Sequence, residues 1–424
     1  MRLVLTTVVG AALSGAAAVL DPHQITLAAS PPSPDAGRAA DDGPWPGSLP
    51  SSVASLLGHA VDRLAGTAEA AQELATALAG GRSSDDDERP RGTIYELIRG
   101  CGHTSRFAKL VDHHPDLVEL LNSSRAEYTL FVPTNEAFRH IPDHHDGHND
   151  KPSKELVENF LRYHVGLGQY PAGRILHTHT LPTALHERFL GGEPQRLRTS
   201  IGFHGVEVNF YSTVVAADIK ASNGIIHAVD HILVPPFMAG QILTLFPGHF
   251  STLLLAYEKT DFIKYIHGVK MVGSTVLAPS NYAFKRLGVR ANAFLFNTET
   301  GRKYLRALLK YHITPNATFY TDSYYDKTDS GRQQPGAEGL ERRHYELPTL
   351  LGDARVAVDV VSLGGLSAIR INGFAHISIR DGVAKNGVIQ VLDQVLIPPC
   401  SKGGSEHAGD IDVEDLKTRL EPYL

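Results

Sequence analysis

The chain has 424 residues, enough for two domains of ordinary size plus tails, each able to bury its own core. Its 40 basic and 46 acidic residues leave a net charge of −6, which argues against a nucleic-acid partner, because a polyanion is held by a basic surplus. With two cysteines, Cys101 and Cys400, a disulfide scaffold is excluded, while a single bridge or two separate thiols stay open.

Arg2 and the apolar run from Leu3 to Leu13, followed by small residues from Gly15 to Ala18, read as a cleaved signal peptide over residues 1–18. That apolar stretch is too short to span a bilayer, and no later one reaches spanning length, so no transmembrane segment is expected. Residues 19–91 form a low-complexity leader rich in Pro, Ala, Asp and Gly. Inside it, Val53, Leu56, Leu57, Val61, Leu64, Ala68, Ala71, Leu74 and Leu78 recur at helical spacing. A pro-segment, a docking element and an oligomerisation stripe are equally open for that helix.

Globular texture begins near Thr93, whose spacing to Glu96 predicts a capping box on a helix ending near Gly100. Thr129 to Val132 is a β-branched and aromatic run, hence a strand, stopped by Pro133, with Thr134 placed to cap a turn carrying Ala137 and Phe138. Leu156, Phe160 and Leu161 predict a helix closed by Tyr163 and His164. Asn223-Gly224 predicts a tight turn, and Ile225 to Val234 a long strand ended by Pro235-Pro236.

These segments occur twice in the same order, which means a duplicated domain. TLFVPTNEAF (Thr129 to Phe138) returns as TVLAPSNYAF (Thr275 to Phe284). The helix with its Tyr-His pair returns with Tyr311 and His312, and NGIIHAVDHILVPP (Asn223 to Pro236) returns as NGVIQVLDQVLIPP (Asn386 to Pro399). The distance between copies grows along the chain, which places an insertion in the second copy at Thr321 to Glu346. Tyr320, Tyr324, Tyr325 and Tyr345, in and beside it, are candidate surface contacts. Strands and helices mix without regular βαβ alternation, so the fold class is α+β.

These blocks resemble the fasciclin-like domain family of secreted and cell-surface adhesion proteins. The resemblance covers residues 92–237 and 246–400, leaving a polar tail at 401–424 whose last helix is expected at Val413 to Leu420. No apolar tail for a lipid anchor is present. The resemblance implies two tandem modules, each a wedge of β-strands packed with several helices. It also implies adhesion: a cell-surface or matrix protein, or a wall polysaccharide, as partner. An Asp-Ile dipeptide before the closing box is linked to integrin binding in animal members, and Asp218-Ile219 stands there in AADIKASNGIIH. The second copy has Asp381 at that place but Gly382 in place of the Ile, which puts integrin-type recognition by that module in doubt. Tyr163, His164, Tyr311 and His312 stand where the family carries a Tyr-His pair, as contact residues or as buried fold residues. Sequons at Asn122 and Asn316 are expected glycan sites of a secreted chain.

No catalytic residue, cofactor or metal is expected. The crowd of His140, His144, His145 and His148 among Asp143, Asp146 and Asp150 has no counterpart in the second copy and reads as a solvated loop. No G-x-S-x-G elbow, H-E-x-x-H helix or phosphate loop occurs. The expectation is a secreted, non-catalytic binding protein. Its alternatives are a lumenal vacuolar or secretory protein with a homeostatic or lipid-related role, and an unrecognised hydrolase.

Overall fold

A computed structural model describes residues 71–78, 92–125, 127–140, 153–175, 177–202, 205–326, 341–363, 366–399 and 411–424. The signal peptide, most of the leader, the His/Asp cluster past His140, the middle of the insertion and Cys400 lie outside those residues. The chain divides into two compact units. The first takes in 1–124, 132–150 and 214–232; the second takes in 125–131, 151–213 and 233–424.

In the first unit, α1 (Ile94–Gly100) carries the expected capping box: Thr93 Oγ1 accepts from Glu96 N and the Glu96 carboxylate accepts from Thr93 N. Helices α2 (Ser105–Asp112) and α3 (Pro115–Asn122) follow, burying Phe107, Val111, Leu117 and Leu121. Asn135 of the opening box ties down the start of α2, donating to Gly102 O at 2.7 Å and accepting from Arg106 N at 3.0 Å. Asn223 of the hairpin accepts from Ile94 N at 2.8 Å and donates to the carbonyls of Leu121 and Ser123. Both asparagines therefore satisfy helix-terminal groups that would otherwise be orphaned.

The first copy carries seven strands: β1 (Tyr128–Pro133), β2 (Val165–Leu167), β3 (Thr180–His186), β4 (Pro194–Gly202), β5 (Gly205–Val208), β6 (Ser212–Ala221) and β7 (Gly224–Val229). They follow one another in sequence order in a barrel-like sheet. Helix α4 (Lys154–Tyr163) is capped by Ser153 Oγ, which accepts from Leu156 N. The β6–β7 hairpin turns at Asn223-Gly224, with Ala221 opposite Gly224.

In the second unit, α5 (Ala239–Leu245), α6 (Pro247–Lys259) and α7 (Phe262–His267) precede β8 (Ser274–Pro279). Then come α8 (Asn281–Arg286), α9 (Val289–Asn297), α10 (Glu299–Tyr311), β9 (Ile313–Pro315) and the ribbon β10 (Ala317–Tyr320) with β11 (Ser323–Asp326). A sheet of β12 (Glu341–Pro348), β13 (Arg355–Leu363), β14 (Leu366–Ile371), β15 (Ala375–Ala384) and β16 (Gly387–Leu392) continues through β8 to β9. Strands β16 and β8 pair in parallel, Val388 opposite Thr275, so the closing and opening boxes lie side by side. Asn281 and Asn386 repeat the roles of Asn135 and Asn223, accepting from Thr252 N and Ala239 N, both at 2.9 Å. Helix α11 (Val413–Leu420), at its expected bounds, buries Leu416 and Leu420 one turn apart in the same core as Leu305 and Leu308 of α10. Each such leucine contributes about 2 kcal/mol by leaving water.

Three expectations change. The strand expected over Ile225 to Val234 stops at Val229, because the backbone N–H groups of Leu233 and Val234 are taken by side chains, His164 Nε2 at 3.0 Å and Tyr211 Oη at 2.9 Å. Tyr320, expected at the surface, is 1% exposed. Tyr345 is half-buried on β12 with its ring 5.5 Å from Phe319.

Candidate functional site

The two Tyr-His pairs build the same device twice. Tyr163, at the end of α4, donates to Arg196 O at 3.1 Å and accepts from Asn209 Nδ2 at 3.0 Å. Tyr311, at the end of α10, donates to Arg355 O and accepts from Asn372 Nδ2, both at 2.9 Å. Asn209 and Asn372 are each left-handed, at φ 53° and 50°. Their carbonyl oxygens accept from Arg198 N and Ala357 N. The histidines cap the same helices. His164 Nδ1 lies 2.9 Å from Phe160 O and His312 Nδ1 lies 2.7 Å from Leu308 O. Each Nε2 accepts a backbone N–H, from Leu233 at 3.0 Å and from Leu396 at 2.9 Å. With Nε2 accepting, Nδ1 is the protonated nitrogen and both rings are neutral. Burial pushes both imidazoles down to about 4.

These four side chains are 0–3% exposed. As contact residues for a partner they are out of reach, and their polar atoms are already matched inside the protein. They hold a helix end against a loop.

The two aspartates before the closing boxes also correspond. Between the pairs Ala216↔Ala228 and Ile219↔Ile226 the register shifts, and Asp218 stands in that bulge at φ 58°. Between Ile379↔Val391 and Gly382↔Ile389 it shifts again, with Asp381 at φ 55°. Aspartate tolerates the left-handed region better than most residues, which is a structural reason for it at both positions. The partner strand fixes each bulge: His227 Nδ1 accepts from Asp218 N at 3.3 Å, and Gln390 Oε1 accepts from Asp381 N at 3.0 Å.

Their side chains differ. Asp218 is exposed, between exposed Ala217 and Lys220, whereas Ile219 is 5% exposed and belongs to the core. Asp381 is fully buried; its carboxylate accepts from Thr321 N and Gln390 Nε2, each at 2.9 Å, and from the Thr321 hydroxyl. Burial, then the charge of Asp322, pushes that carboxyl upward. Asp322 accepts from His179 N, Thr180 N and Thr180 Oγ1, with Arg196 Nη2 3.8 Å away. Arg198 is pushed down to about 10 by burial, while its Nε donates to Arg380 O at 2.9 Å. Among the described side chains singled out as contacts, Asp218 is an exposed one, and Ile219 and Asp381 act from inside; the side chains of Tyr324 and Tyr325 lie outside the described residues.

Asn122 is exposed at the end of α3, accepting from Thr93 Oγ1 at 2.7 Å. Asn316 is half-buried at φ 57°, with its Oδ1 accepting from Val272 N at 2.9 Å. Among the described residues no group of histidine, cysteine and carboxylate side chains has the arrangement of a metal site, and no helix is long and apolar enough to cross a membrane.

A fasciclin domain is matched at residues 102–235 and again at 248–398, so the chain belongs to the fasciclin domain family, with two tandem modules of mixed helices and strands. Family membership supports an adhesion-type role. The chain is 27% identical over 362 residues to the aurofusarin biosynthesis cluster protein S of Gibberella zeae, covering 78% of this chain and 86% of that protein. It is 26% identical over 330 residues to the transforming growth factor-beta-induced protein ig-h3 of Sus scrofa, covering 76% of this chain and 42% of that one. A solved domain pair from the insect cell adhesion molecule fasciclin I aligns with 70% of this chain and 97% of its own, at 18% identity and a TM-score of 0.33.

Proposed function

We propose that this protein is an extracellular, non-catalytic binding protein of adhesion type. It holds a cell-surface or matrix protein, or a wall polysaccharide, through the surfaces of its two modules. The observation that carries the reading is the asymmetry of the two bulges. The same left-handed aspartate is sealed into the core in the second copy and turned outward in the first. The bulge fixes the backbone that carries this exposed aspartate, so little backbone ordering is left to do on binding. The first module therefore supplies the polar contact at Asp218, and two modules on one chain raise avidity when both engage. The sequons at Asn122, exposed, and Asn316, half-buried, fit an extracellular location.

The test is adhesion of cells, and separately of wall polysaccharide, to immobilised full-length chain and its Asp218→Ala variant. Asp218→Ala is expected to weaken adhesion by about tenfold or more, the range for loss of one charge-assisted contact, while the melting temperature falls by no more than the few degrees that a left-handed alanine costs. Equal adhesion by the two proteins removes Asp218 from the contact.

A second reading has one observation in its favour. The relative named for a biosynthesis cluster matches over 86% of its own length, which favours a role in biosynthesis over adhesion.

A further inference from the structure

The second unit contains a cavity of about 600 Å3 bounded by α5, α6, α7 and β8, with nothing from either Tyr-His device in its wall. That volume lies within the range of small-molecule sites, roughly 300–1,000 Å3. The wall is chiefly apolar. Tyr257 and Phe262 stack on one side, ring centroids 5.3 Å apart and 12° from parallel. Met238 and Met271, two of the chain's three methionines, line it as well. Thioether side chains adapt to an irregular apolar guest.

Few polar groups reach this wall. Asn386 and Gln241 each use the amide oxygen on a backbone N–H, of Ala239 and Met238, which leaves their NH2 groups as donors at the cavity. The Tyr257 hydroxyl makes no hydrogen bond among the described residues, and burial alone pushes its phenol upward, so it stays protonated. All three can donate, and the Tyr257 hydroxyl can also accept; His267, Thr244 and Ser274 are the other polar residues of the wall, the two hydroxyls donating to Gln241 O and Asn386 O. The cavity is a partly open cleft, with Gln241, Thr244, Ile263 and His267 exposed at its rim, and these donors leave hydrogen-bonding capacity for a guest that accepts. Ile263 beside it is 51% exposed, more than a core isoleucine would be.

We propose that this cavity binds a small amphipathic molecule with an apolar body and one hydrogen-bond-accepting head, a carbonyl or carboxylate. The body fills the space against Tyr257, Phe262 and the methionines. The head accepts from the Tyr257 hydroxyl and the Asn386 amide. This site is independent of the surface contact at Asp218, and either can fail without the other.

The experiment uses full-length protein and the fluorescent probe 1-anilinonaphthalene-8-sulfonate, followed by displacement with a long-chain fatty acid and with a planar aromatic ketone. Saturable binding at one probe per chain is expected, displaced by whichever of the two carries the better-fitting body. Thr244 lies on the exposed side of α5 and contributes to the wall. Thr244→Trp is expected to fill the cavity and weaken probe binding at least tenfold while leaving the melting temperature unchanged. Tyr257→Phe keeps the apolar shape and is expected to weaken the acid or ketone about threefold to tenfold, the value of one hydrogen bond, with binding of the hydrocarbon analogue unchanged. Absence of saturable probe binding overturns the proposal. So does equal affinity in Thr244→Trp, which would put the probe elsewhere.

Discussion

Lowering the pH from 7 to 4 is expected to remove about 6 kcal/mol of stability through His164 and His312 alone. Each ring is neutral in the folded protein and pushed down to about 4, against about 6.5 when unfolded. The unfolded chain thus binds more protons between those values, and stability rises with pH there. The contribution is fully present above about pH 6.5 and is lost as pH falls towards 4, at about 3 kcal/mol per histidine. The cause is structural: a proton on Nε2 would face the N–H of Leu233 or Leu396, which that nitrogen now accepts. His231 works in the opposite sense, its half-buried imidazole raised by the Asp230 carboxylate at 2.8 Å. That pair is solvent-screened and small beside two sealed rings. Urea denaturation at pH 7, 6, 5 and 4.5 measures this. A slope near 2.7 kcal/mol per pH unit around pH 5 corresponds to two protons taken up on unfolding, whereas a flat profile would mean that the rings are hydrated.

Gly387→Ala is expected to cost about 4 kcal/mol or more, among the largest effects of any single substitution here. Gly387 follows the hairpin asparagine at φ 146°, a region closed to residues with a Cβ. An added Cβ would sit on the backbone carbonyl, carbon and nitrogen of Ser274, on the parallel neighbour β8. Backbone on a central strand has no room to yield, so the closing box would separate from the opening box. Gly352→Ala is the control: φ is again positive, at 63°, but no atom lies within 4 Å of the new Cβ. Its cost is the left-handed conformation alone, about 1 kcal/mol. Thermal melts of both variants separate the contact from the dihedral. A fall of roughly 10 °C for Gly387→Ala, against a few degrees for Gly352→Ala, is the expected pattern.

Much of the fold was legible because the duplicated blocks carry local signals. The capping box at Thr93, the helix closed by Tyr163-His164, the Asn-Gly hairpin and the terminal helix at Val413–Leu420 each depend on neighbours in sequence. What escaped depends on distant partners. The strand after Gly224 ends early because His164 and Tyr211, far away in the chain, take its N–H groups. Asn209 and Asn372 complete the tyrosine devices, and their signal was present: an asparagine that recurs at equivalent places in both copies, after a run of alternating strand residues. Asp218 and Asp381 look alike in sequence. Their exposures diverge because Thr321 and Gln390 enclose only the second. The cavity had no signature at all, since its wall is drawn from Phe189 to Asn386 and no periodicity links those positions.

The proposed function of this chain is to hold a surface. Binding of labelled full-length protein to intact cells and to wall preparations, measured as an isotherm at physiological salt, tests it most directly. Saturable retention that excess unlabelled chain competes away and that Asp218→Ala weakens is the expected result. Retention that rises linearly with concentration, without saturation or competition, would contradict it.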